Sequence, residues 1–187
     1  MQDTQTYKKL KDKLKDNFPQ FLVIHHSGGT KLDPLADTSH HTAVIMEKGH
    51  ISFPNFFEGL GYHYVIHKDG EIWRGRPEDY HGAHTKEQDM NTKSIAICLA
   101  GNFDATLPTK EQENALAGLV ASIRGRYMIT MENIVPHRHF LGNPPYKSCY
   151  GKLLSDTWAR DLVLQDVSHE TSKEEIKKQI TDLLAKL

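Results

Sequence analysis

The sequence predicts an α/β fold, a central mixed β-sheet flanked by helices with extra helices at both ends, and three observations carry that prediction. Two continuous apolar runs, Phe21-Leu22-Val23-Ile24 and residues 94–100 (SIAICLA), read as strands buried on both faces. Lys68-Asp69-Gly70-Glu71 carries the Asp-Gly signal of a hairpin turn between residues 61–66 (GYHYVI) and a return strand that begins Ile72-Trp73-Arg74. Thr109 and Gln112 have capping-box spacing, and Ala115, Leu116, Leu119, Val120, Ile123 and Tyr127 then hold one apolar helical face.

The remaining elements follow in order. Tyr7, Leu10, Leu14 and Phe18 recur at helical spacing, which predicts an amphipathic helix over residues 5–18. Pro34 suits a first helical turn, so residues 34–48 are expected to be helical. Ile134-Val135 is a short strand, and Leu153, Leu154, Trp158 and Leu162 suggest a helix over 152–164. Ser172 caps a terminal amphipathic helix whose face is Ile176, Ile180, Leu183, Leu184 and Leu187. The expected organisation is an N-terminal helical extension (1–19), a main domain (20–164) and a C-terminal helix (165–187) packed on it.

Composition excludes several classes. With 187 residues the chain can bury one substantial core. Its 23 basic and 24 acidic residues argue against a nucleic-acid binder, which usually shows a basic excess. No run of about 18 apolar residues would span a membrane. The N-terminus lacks the apolar stretch of a secretory signal, although a removed signal would leave no trace. Cys98 and Cys149 are too few for a disulfide framework, and a monomer is expected.

Twelve clustered histidines are the first hint of metal or proton-transfer chemistry. His25 ends one buried strand and His137 follows another. Cys149 lies in HRHFLGNPPYKSCYG, whose Gly142, Asn143, Pro144 and Pro145 dictate irregular backbone. Zinc takes imidazole nitrogen and thiolate sulfur, and three such ligands plus water make a catalytic site. On residue pattern alone, a His-His pair ending a strand is more often polar decoration, and a lone cysteine is more often inert. Tyr62 alone reads as a strand tyrosine, and Lys147 as a solvated loop lysine.

Six segments in order change that balance: FLVIHHSGG, GLGYHYVIHKDGEIWRGRP, HGAHT, SIAICLAGNF, IVPHRHF and KSCYG. From about residue 20 to 164 the chain resembles the zinc-dependent N-acetylmuramoyl-L-alanine amidases and their relatives, the peptidoglycan recognition proteins, with the phage amidase branch nearest. The resemblance implies that fold, one Zn2+ per chain held by His25, His137 and Cys149, and peptidoglycan or a muropeptide as substrate. It places a catalytic tyrosine at Tyr62 and a lysine, two residues before the cysteine, at Lys147. Zinc would activate water and polarise the amide carbonyl. Lys147 would stabilise the oxyanion, and Tyr62 would orient the water or assist proton transfer.

Pro136, His139 and Tyr150 depart from the family pattern, and His139 remains the alternative ligand. His63, Arg74, Arg76, His81, His84 and Asn102 are candidate groove groups, since arginine and histidine suit the carboxylates of a stem peptide. Non-catalytic recognition relatives typically lose the cysteine, so Cys149 favours the enzyme over a binding module. An interaction domain built on the terminal helices is a third reading. Synthesis in the cytoplasm with release to the cell wall, as for an endolysin, is the expected setting.

Overall fold

A computed structural model describes residues 1–13, 16–52, 57–142, 145, 147–165 and 181. Leu14, the aromatic run at 53–56 and the terminal amphipathic helix fall outside the described residues. The elements are β1 (Gln2–Asp3), α1 (Gln5–Leu10), β2 (Phe21–His26), α2 (Ala43–Ile51), β3 (Tyr64–Ile66), β4 (Ile72–Arg74), α3 (Met90–Lys93), β5 (Ser94–Leu99), α4 (Lys110–Tyr127) and β6 (Ile134–Pro136). A further helix runs over 158–165. None of the described helices is long and apolar enough to cross a membrane.

The six strands form one mixed sheet in the order β1-β4-β3-β5-β2-β6. Only the hairpin pair β3/β4 is antiparallel, while β2 runs parallel to both β5 and β6. Strands β5 and β2 are interior strands, each with a neighbour on either side and both faces covered, which is why their sequences are continuously apolar rather than alternating. Successive side chains point to opposite faces. One face takes Leu22, Ile24, Ile95, Ile97 and Ile134 against Leu116, Leu119, Val120 and Ile123 of α4. The other packs Val65 and Cys98 against Ala43 and Met46 of α2, and Val23 against Met90, Val135 and Phe140. His25 therefore shares the face of Val23, in register with Cys98.

The capping box opens α4 as the sequence predicts, with Thr109 and Gln112 capping each other reciprocally. Gln112 also donates from its buried amide to Ala100 O at 2.9 Å, which fixes the helix against β5. Thr109→Ala should lower stability by about 1 kcal/mol. A urea midpoint equal to that of the parent would contradict the cap.

Local chemistry shifts several boundaries. The helix expected over 34–48 starts only at Ala43, capped by Thr42. Asp33 and Asp37 accept from Leu35 N and Ser39 N, local turns that compete with helix. The backbone carbonyls of Pro34 and Ala36 accept from the Asn102 amide. Likewise the helix expected over 152–164 begins at 158, because Leu154 O and Ser155 O accept side-chain donors from Arg138 and Tyr150. The N-terminal segment, read as purely helical, also supplies edge strand β1, paired with Trp73 and Arg74.

Candidate active site

Strand β2 extends through His25 and on to His26. That extension presents the His25 imidazole from a rigid central strand. Strand β6 lies beside β2, with Pro136 opposite Ile24, and so delivers His137 to the same edge. The two rings lie 4.6 Å apart between centroids. Cys149 Sγ lies 3.6 Å from His25 Nδ1. One donor atom from each of His25, His137 and Cys149 falls within 4.8 Å of the others.

This donor set fits zinc. Two imidazoles and a thiol match its preferred ligands and leave a fourth position for water or substrate. His137 Nε2 is buried and within hydrogen-bond distance of no protein atom, with Glu87 Oε2 3.9 Å away, so it is an atom that a metal would satisfy. Burial pushes His25 well below the ordinary histidine range and His137 down to about 4, so both are neutral near pH 7, as ligands must be. Burial pushes the Cys149 thiol up to about 12, and a bound cation reverses that preference in favour of thiolate. His139 is exposed, with its ring against Phe140, and stands outside the cluster. Of the two candidate histidines, His137 is the one that falls within the donor cluster.

The cluster sits in a cleft of about 570 Å3 lined by Tyr62, His84, His50 and Lys147 among others. The Tyr62 ring lies 5.1 Å from His25 and 5.3 Å from His50. Burial, with Cys98 and Cys149 adjacent, raises its phenol well above the ordinary range. His84 Nδ1 lies 3.1 Å from His25 Nε2 and 3.0 Å from Thr85 Oγ1. A second hollow of about 430 Å3 continues past Phe57, His84, His137 and Lys147 to Lys86 and Asn91. The two hollows share Phe57, Ala83, His84, His137 and Lys147 and so adjoin at the cluster.

Five of the six expected groove residues lie outside the cleft, and only His84 lines it. His63 is fully buried, with Nδ1 accepting from Ala96 N at 3.0 Å and Nε2 donating to Tyr80 O at 2.9 Å. Arg76 is 2 % exposed and donates to Leu60 O and His81 O. Arg74 pairs with Asp3 and Tyr7 at the β1 edge. Asn102 spends its amide on Pro34 O and Ala36 O. His63, Arg76 and Asn102 spend their polar atoms on backbone groups and Arg74 on two side chains, and none of the four lines the cleft around the cluster. His81 pairs with Asp16 instead of facing the cleft.

The buried histidines make stability depend on pH. Burial pushes His50 and His63 down to about 4, whereas unfolded imidazoles titrate near 6.5. Between those values the unfolded chain binds more protons than the folded one, so stability falls as pH drops from about 6.5 toward 4. The urea midpoint should therefore be lower near pH 5 than near pH 7. A midpoint that is flat or rising over that window would contradict the neutral, buried state.

A mixed sheet whose strand ends bring two histidines together with a loop cysteine defines a candidate metal-binding centre. A family profile described as N-acetylmuramoyl-L-alanine amidase matches residues 15–152, and the chain belongs to that family. It is 37 % identical to an endolysin of Enterobacteria phage K11 over 73 residues, which are 36 % of this chain and 47 % of that one. It is 25 % identical to peptidoglycan-recognition protein SD of Drosophila melanogaster over 68 % of this chain and 66 % of that one. The chain thus spans between about half and two thirds of these curated relatives. The solved structure of the endolysin amidase LysCS from Clostridium intestinale aligns with a TM-score of 0.61 at 25 % identity, covering 81 % of this chain and 86 % of that one.

Proposed function

We propose that the chain is a zinc-dependent N-acetylmuramoyl-L-alanine amidase that hydrolyses the amide between N-acetylmuramic acid and L-alanine in peptidoglycan, in the manner of an endolysin. The observation that carries this reading is the convergence of His25, His137 and Cys149 in one cleft with Tyr62 and Lys147. Zinc held by the three donors would supply a Lewis acid for the amide carbonyl and an activated water.

The protein's own groups do the rest. Lys147, on the cleft wall two residues before Cys149, meets the negative charge that develops on the carbonyl oxygen. The Tyr62 phenol stays protonated at neutral pH, so its O–H is available to orient water or pass a proton toward the leaving amine. His84 holds His25 in orientation from the side away from Cys149. Glycoside cleavage normally needs a pair of free carboxylates. Among the described lining residues of the main cleft Asp104 is the single carboxylate, with both its oxygens occupied by Ser148 and Lys152, and Glu87 of the adjoining hollow lies 3.9 Å from His137 Nε2.

Metal analysis tests the reading. One zinc per chain, loss of peptidoglycan hydrolysis with chelator and recovery on adding zinc are expected. Binding of peptidoglycan without any release would instead identify a recognition module, the role that the name of the Drosophila relative describes.

A further inference from the structure

Cys149 lies on an irregular segment, yet its two flanks are fastened from opposite directions. On one side stands Arg138, the residue after His137. Its backbone N–H donates to Cys149 O at 2.7 Å. Its guanidinium donates to Ser148 O at 3.1 Å, Gly151 O at 2.6 Å and Leu154 O at 2.6 Å, and pairs with Asp156 at 2.6 Å. The Arg138 side chain is only 14 % exposed. On the other side Asp104, from the loop after β5, accepts from Ser148 Oγ at 2.6 Å and Lys152 N at 2.7 Å. Gly151 completes the seat, since a Cβ there would lie 2.5 Å from the Phe103 carbonyl oxygen.

We propose that Arg138 and Asp104 are positioning residues that fix the Cys149 thiol beside His25 and His137 before any metal arrives. The inference rests on the reading that these three donors hold a metal. Three carbonyls of a non-helical, non-sheet segment need donors, and the fork of a guanidinium can serve several at once where an ammonium serves as a point charge. Arg138 follows His137 directly and binds Cys149 through its backbone, so two of the three donors move as one unit. A metal site gains affinity when its ligands are held near their bound geometry. Outer partners of this kind typically change metal affinity about 10–100-fold.

The test uses the full chain with cobalt in place of zinc, because a thiolate-to-cobalt charge-transfer band reports Cys149 as a ligand. Arg138→Lys and Asp104→Ala are compared with the parent, and Asp156→Ala removes only the exposed outer partner of Arg138. Expected in both clamp variants are roughly 10–100-fold weaker cobalt binding in chelator competition, a diminished charge-transfer band, and faster modification of Cys149 in the metal-free protein. Cys98 is fully buried and stays silent to the thiol reagent. Asp156→Ala should behave as the parent. If Arg138→Lys does not fold, Asp104→Ala decides. A parent band with unchanged affinity and thiol reactivity in the folded variants would overturn the clamp alone. No band in the parent would overturn the metal reading and the clamp with it.

Discussion

Cys149→Ser is expected to release the metal and abolish hydrolysis while leaving the sheet folded. Thiolate is a charged, soft zinc ligand, whereas a serine hydroxyl would bind as a neutral oxygen donor. The residue stands on a peripheral segment rather than in either sheet face, so its loss costs little packing. Stoichiometry should fall from one zinc per chain to well below that after dialysis. His139→Ala provides the contrast, because His139 is exposed and outside the donor cluster. Full occupancy in the serine variant, or loss of metal in the His139 variant, would reassign the ligand.

The second large effect is on turnover without loss of metal. Tyr62→Phe and Lys147→Ala should each keep zinc and fold, yet reduce kcat about a hundredfold or more. Removing one donor aimed at a developing oxyanion typically costs roughly 3–4 kcal/mol of barrier. Neither side chain belongs to the three-donor cluster, although both line its cleft. Tyr62→Phe removes only the hydroxyl and preserves the ring that packs against His25 and His50. Near-parent turnover in both variants would remove them from the chemistry, while leaving the metal assignment intact.

The central strands, the hairpin and α4 were legible because each is governed by local patterning: apolar runs, an Asp-Gly turn and a capping box. The three donors were legible only through family order, since His25 and Cys149 are 124 positions apart and no spacing rule joins them. What sequence hid was the division of labour among polar residues. His63, Arg76 and Asn102 have the chemistry of substrate binders, yet each is consumed by backbone groups created when distant segments meet. Arg138 and Asp104 carried no signal, because their partners are carbonyls and amides of a loop that exists only in the fold. Tyr150, one of the departures from the family pattern, proves to be a fully buried anchor whose ring packs on Trp158 and whose hydroxyl donates to Ser155 O. The helix boundaries at 43 and 158 moved for a related reason: tertiary donors claimed the carbonyls that an earlier helix start would have used.

The most direct measurement is mass analysis of the products released from purified peptidoglycan. The account predicts free stem peptides with new L-alanine amino termini, glycan strands left uncut, and release that stops with chelator and returns with zinc. New reducing-sugar ends with no free L-alanine termini would contradict it.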